Sequence, residues 1–260
     1  MVFRSDFNGI SHEYNFVGLK NFIGVFKDQM MRHSLFNTIF YTFCTMILIN
    51  LLAIPLAVFL DRNTKLKSVE RAVFFFPSIV SGLLLGYIWG YILSPMKTGA
   101  LNTLLAVFGA GPIGFTATEW GAKISIILVA VWTSTGWYAT IYLAYLQAIP
   151  NEYYEAAAID GASRWQQFTK ITFPLLAPGL TVNTLLLLTN GLKVYDLPYA
   201  LTKGGPGYSN YTVTQVIIQR GLSEKQYGAS TALATIFIII VALIAGIQYM
   251  AMSKREEDIS

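Results

Sequence analysis

The stretch 148–178, AIPNEYYEAAAIDGASRWQQFTKITFPLLAP, is a polar loop set between two long apolar runs, which places it at a membrane surface. Its pattern is tighter than a passive connector needs. Pro150 and Asn151 precede a short helical stretch rich in acids and alanines, which suits a helix start. Glu152, Glu155 and Asp160 follow, and Gly161 stands where a helix would stop in a left-handed turn. Ser163 with Gln166 three residues later has the form of a capping box opening a second short helix. Pro174 and Pro178 bring the chain back into the bilayer. Two short helices joined at a glycine make a compact knob projecting from a membrane domain. The alternatives are a plain amphipathic hairpin and a DNA-reading helix-turn-helix. Arg164 and Lys170 stand against three acids, whereas phosphate binding calls for a basic excess, so nucleic acid is excluded as a partner.

Outward from the knob, composition agrees. Of 260 residues, 54% are apolar and only 12% charged, against about a quarter charged in ordinary soluble domains. Uncharged runs long enough for a bilayer core, about 20 residues, occur at 35–60, 72–94, 124–148 and 228–252, with a shorter one at 175–192. The pattern predicts an all-α, polytopic transmembrane helix bundle with five spans in residues 35–252. A charge at mid-bilayer costs about 2.5–3.5 kcal/mol on insertion scales, and none of the five runs holds one internally. Residues 1–34 then form an external N-terminal segment, 149–174 a cytoplasmic loop and 253–260 a cytoplasmic tail. Orientation follows from the dense basic linker 61–71 with Arg62, Lys65, Lys67 and Arg71, which belongs inside. Parity puts the knob and the tail (Lys254, Arg255) inside too, and the loops near 95–123 and 193–227 outside. Lys193, Lys203, Arg220 and Lys225 fall outside, so density rather than count sets the orientation.

The run EAAAIDGAS, followed by Phe168, Ile171 and Pro174, resembles the cytoplasmic EAA loop of permease subunits of bacterial ATP-binding cassette importers. Glu155, Ala156, Ala157, Asp160, Gly161 and Ala162 match that loop in order and spacing. The resemblance implies the type I ABC importer permease fold and a multi-pass protein of the bacterial inner membrane. It implies a transport subunit rather than an enzyme. The partners it implies are a cytoplasmic ABC ATPase dimer, which binds ATP and Mg and seats the loop, a second homologous permease and an extracytoplasmic solute-binding protein. Ala156, Ala157, Ala158 and Gly161 have little bulk and allow close backbone approach; Glu155 and Asp160 are suited to accept hydrogen bonds from a basic partner or to brace the turn.

FVGLKNF, FFFPSIVSGLLLGYIW (74–89), LSPMKTGALNTLL (93–105), IPNEYYEAA and KVYDLPYALTKGGPG (193–207) are similar to the carbohydrate-uptake branch, whose maltose and glycerol-3-phosphate permeases carry LTxGGP. A sugar cargo is therefore expected, with a glycerol phosphodiester or polyol as the alternative. An ion-driven secondary transporter would show ionisable residues within spans, and a membrane-embedded enzyme a catalytic cluster; neither pattern is present. Related permeases usually have another apolar span before YNFVGLKNF (14–22), so a first helix of the family is expected to be missing here.

For a sugar path, hydroxyl-matching groups and flat rings are needed on inward helix faces. Asn183 and Asn190, seven apart and hence on one helix face, with Tyr195 and Asp196 just beyond, are the candidates. The plainer role for each asparagine is a helix–helix hydrogen bond, which is common in membranes, and for Asn37 and Asn50 that expectation is stronger still. Lys193 and Asp196 are spaced to pair. Trp89, Trp132 and Trp137 suit sugar stacking, interfacial belts or helix contacts. Gly82, Gly86 and Gly90 recur along one face, a spacing for close helix packing, and Pro55 and Pro77 mark kinks. The tract Gly204–Gly207 has no GxxxxGK[ST] context and is no phosphate cradle, so the chain needs no cofactor of its own. Lone Cys44 excludes an intrachain disulfide, and with His12 and His33, both expected in loops, it makes no metal site.

Overall fold

The computed structural model describes residues 1–4, 15–62 and 65–257, and among these the regular structure is helical apart from one isolated antiparallel bridge, Arg4 to Phe16. The helices run in order α1 (Lys20–Lys27), α2 (Gln29–Leu60), α3 (Lys67–Ile79), α4 (Gly82–Ile92), α5 (Ala100–Val107), α6 (Glu119–Gln147) and α7 (Glu152–Ile159). They continue with α8 (Arg164–Gln167), α9 (Phe173–Leu175), α10 (Ala177–Leu192), α11 (Asp196–Thr202), α12 (Val213–Ile218) and α13 (Tyr227–Glu257). His12 lies outside the described residues.

Three helices, α2, α6 and α13, are long and apolar enough to cross a membrane unbroken, and two further pairs qualify only when taken together, α3 with α4 and 164–175 with α10. The expected spans shift accordingly. The first begins at Gln29, not 35, because Asp28 Oδ1 accepts the Met31 N–H at 3.0 Å and starts the helix there, which puts His33 inside α2 rather than in a loop. The second, expected as one run, is broken: Val80 and Ser81 are both extended, with ψ of 137° and 134°, just after Pro77, whose missing N–H weakens the last turn of α3. The third starts at Glu119 and so includes Lys123, whose charge is buried but answered by Glu119 at 2.6 Å and by the faces of Trp120 and Phe36 at 5.0 and 5.7 Å. The fourth follows a 61° bend, and the last helix continues to Glu257 through most of the expected tail. The loops near 95–123 and 193–227 hold α5, α11 and α12.

The chain divides into two compact units. The first comprises Met1–Cys44, Ser81–Ala130 and Asn190–Ile244. Its apolar centre joins Leu93, Ile126, Val129, Ala130, Leu197 and Leu201, with Trp89 and Phe115 packed around them. The glycine stripe is spent here. A Cβ on Gly86 would stand 2.5 Å from the Ala200 Cβ and 3.1 Å from the Leu197 carbonyl oxygen, so α4 and α11 cross backbone to backbone. In the same unit Asn37 of α2 donates to the carbonyls of Ser209 and Tyr211 at 2.6 and 3.1 Å. The neighbouring Thr38 hydroxyl accepts the Val213 N–H at 2.9 Å, and Asn210 donates to Gly205 O at 2.8 Å. Asn37 thus holds a loop, not the helix partner its position suggested. Asn37→Ala strips two partly buried carbonyls of their donor, about 0.5–1.5 kcal/mol each; we expect faster proteolysis within 203–212 and a lower melting temperature. Cleavage at the parent rate would refute this anchoring.

The second unit comprises Thr45–Val80, Val131–Thr189 and Ala245–Ser260. Asn50 there has the helix–helix role expected of it, since its Oδ1 accepts the Tyr142 hydroxyl of α6 at 2.6 Å. This unit also holds the knob.

Candidate functional site

The knob is built by short-range signals. α7 ends at Asp160, and Gly161 takes φ +77°, the left-handed value that a side chain opposes. Its N–H donates to Ala158 O at 3.1 Å and that of Ala162 to Ala157 O at 2.8 Å, the paired bonds of a Schellman turn. Ser163 then opens α8 with a complete capping box: its hydroxyl accepts Gln166 N–H at 3.3 Å, and Gln166 Oε1 accepts the Ser163 N–H at 2.7 Å. The start of α7 is simpler than expected. The Asn151 side chain makes no capping bond; its carbonyl accepts the Glu155 N–H at 3.0 Å instead.

Beyond α8 the chain widens into a π-helical turn over Phe168–Thr172 before α9, which contains Pro174. Such turns recur at functional sites because the extra residue re-aims the side chains around it. The hydroxyls of Tyr154 and Thr172 lie 3.0 Å apart and pin α7 to the returning chain, while Phe168 packs between Trp165 and Phe173 at ring distances of 5.7 and 6.2 Å.

What the knob leaves uncovered is more telling. α7 buries none of its own residues. Glu155, Ala156, Asp160 and Gly161 are all exposed, and Ala157 and Ala162 half-exposed. Neither Glu155 nor Asp160 makes a side-chain hydrogen bond among the described residues; the turn is braced without them, by its backbone bonds, the Ser163–Gln166 box and Gln167 Nε2 donating to Ala162 O at 3.2 Å, and both carboxylates are exposed. Ile159 and Trp165, which the loop's polar pattern did not single out, are 87% and 72% exposed. Their signal was present as two large apolar residues inside a polar loop.

The other candidates separate. Asn183 is fully buried and donates to the Tyr138 carbonyl at 3.1 Å, tying α10 to α6, whereas Asn190 on the same helix is exposed. Sharing a helix face did not give them one environment. Tyr195 and Asp196 begin α11, where the rings of Tyr195 and Tyr199 stack at 5.2 Å and 12°. Burial, then the neighbouring Tyr199 and Asp196, hold the Tyr195 phenol above its ordinary pKa. The expected Lys193–Asp196 ion pair does not form among the described residues; both side chains are exposed.

Residues 21–257 match the family described as binding-protein-dependent transport system inner membrane component. The chain belongs to that family. It is 34% identical over 256 residues to a probable starch degradation products transport system permease protein of Thermoanaerobacterium thermosulfurigenes, covering 98% of this chain and 86% of the relative. With a trehalose/maltose transport system permease protein of Thermococcus litoralis it shares 31% over 246 residues, 95% of this chain and 82% of that one. A crystal structure of a bacterial ABC transporter involved in the import of the acidic polysaccharide alginate superposes with a TM-score of 0.84 at 22% identity, covering 92% of this chain and 84% of that one. At that identity the likeness bears on fold, which is that of an ABC importer permease. This permease is therefore a multi-pass membrane transport subunit.

Proposed function

We propose that this permease forms half of the path by which a carbohydrate enters the cell by alternating access, with ATP and Mg bound by a separate cytoplasmic ATPase pair that grips the knob. A second, homologous permease completes the path, and a solute-binding protein delivers cargo from outside. The protein resides in the cytoplasmic membrane with the knob inside. The observation that supports coupling through the knob is that α7 has no buried residue while Ile159 and Trp165 stand in solvent. A projecting pair of short helices with two large apolar groups and the exposed carboxylates Glu152, Glu155 and Asp160 has the anchors and rim of a protein interface. Cysteines at 159 and 165, in a background with Cys44 replaced, should cross-link to the ATPase in intact cells. If neither ever captures it, the coupling role fails.

Carbohydrate as cargo is supported by the sugar transport systems to which the two relatives belong. Within the chain, the exposed Asn190, the stacked Tyr195–Tyr199 pair and Asp196 are the groups suited to sugar hydroxyls and ring faces. Tyr195→Ala and Asn190→Ala should raise the sugar concentration giving half-maximal uptake. Asn183→Ala should instead lower the amount of folded protein, because its amide links two helices. The opposite split would remove 190–196 from the path.

A further inference from the structure

α1 has a face that no described part of the chain covers. Leu19 at its cap, Ile23 and Phe26 recur along one side at i, i+4 and i+7 and are 62%, 54% and 59% exposed. Lys20 and Lys27 lie beside that stripe, also exposed, and enter no ion pair among the described residues. The helix is held by its other side. Val25 is fully buried, Asn21 donates to the carbonyls of Val2 and Arg4 at 2.7 and 2.9 Å, and the Phe22 ring lies 5.8 Å from that of Phe3.

The junction with α2 shows at what level α1 lies. Asp28 alone separates the two helices and is extended, with ψ of 119°, so α1 does not simply prolong the first span. Its Oδ2 accepts Arg220 Nη2 at 2.6 Å, and Arg220 Nη1 reaches Glu224 at 2.6 Å. Three charges gathered at the start of a membrane-crossing helix belong at the edge of the hydrocarbon, not within it. An eight-residue helix is about 12 Å long, so α1, tethered there by one residue, stays near that edge. In the same unit Phe36, on the second turn of α2 beyond the junction, is 57% exposed as well.

We infer that α1 is an interfacial anchor, with Leu19, Ile23 and Phe26 seated at the boundary between acyl chains and headgroups and Lys20 and Lys27 against lipid phosphates. This occupant is lipid, not protein: the stripe is narrow, flanked by basic residues, and joined directly to a span. The inference rests on the membrane crossing of α2 and not on the cargo or the ATPase.

The test uses the full chain, co-expressed with its transport partners, in nanodiscs of phosphatidylcholine and phosphatidylglycerol. Single nitroxide labels are placed at 23 and 26, at 47 as a lipid reference and at exposed Tyr208 as a water reference, with Cys44→Ala throughout. Labels at 23 and 26 should collide severalfold more often with oxygen than with a water-soluble nickel chelate, as the label at 47 does. If they follow the label at 208, the face is in water; if they are shielded from both colliders, another protein covers it. Either result overturns the anchor. ATP-driven uptake by the same labelled chains is scored separately, so a failure of the transport assignment leaves the collision result intact.

Discussion

Replacing Gly161 with leucine will leave this permease inserted and folded but will abolish coupled uptake. The left-handed φ of +77° costs a side chain roughly 1–2 kcal/mol, too little to unfold a bundle of this size. No atom lies within 4 Å of a Cβ built there, so the new side chain meets nothing in its own chain. It projects instead from an exposed turn of the knob, where the ATPase is proposed to sit. In proteoliposomes with all partners, uptake should fall to background while ATP hydrolysis persists without responding to the loaded binding protein. Gly161→Asn separates the two causes, because asparagine tolerates the left-handed region. If strain alone mattered, the asparagine variant would transport normally; if bulk at the interface matters, it too will be impaired. Parental uptake by the leucine variant would end the case for docking at this turn.

The second large effect is structural and lies far from the knob. Gly86→Leu forces four carbon atoms into a crossing where the first already stands 2.5 Å from Ala200 Cβ. Overpacking typically costs about 1–3 kcal/mol, and here the neighbours are helix backbone, which cannot swing aside. We expect little folded protein after detergent extraction and a sharply lower melting temperature in what remains. Gly82→Ala, with its nearest neighbour at 3.3 Å, should be milder. Combining Gly86→Ala with Ala200→Gly should recover much of what Gly86→Ala alone loses, since the swap removes the colliding methyl. Failure of that rescue would mean α4 and α11 do not meet as described.

The two glycines also show what could be read from the sequence and what could not. At Gly161 the signals lie within a few residues: alanines that favour helix, a glycine that permits the left-handed turn, and Ser163 with Gln166 to start again. Every hydrogen bond they predict closes within six positions, so the local sequence holds all the partners. Gly86 sits in an equally visible stripe, but its partner Ala200 is more than a hundred residues away, and nothing in the stripe says whether it packs within the chain or against another one. The same holds for Asn37, whose side chain is engaged by a loop 172 and 174 positions further on.

Hydropathy located the apolar runs because lipid demands long stretches without charge, a requirement each stretch meets alone. Their ends and breaks needed more. Lys123 lies inside a helix because Glu119 and two rings answer its charge, and the second span divides at Val80–Ser81 although no charge interrupts it. Burial was least legible of all: Asn183 and Asn190 have the same chemistry and spacing on one helix, yet one is sealed against Tyr138 and the other is open. The sequence by itself determined a helical membrane chain with a two-helix knob, because those features depend on neighbours along the backbone. Only the tertiary structure decided which small residues are contacts, which asparagines are buried and which apolar residues remain uncovered, because those depend on neighbours that folding brings from elsewhere.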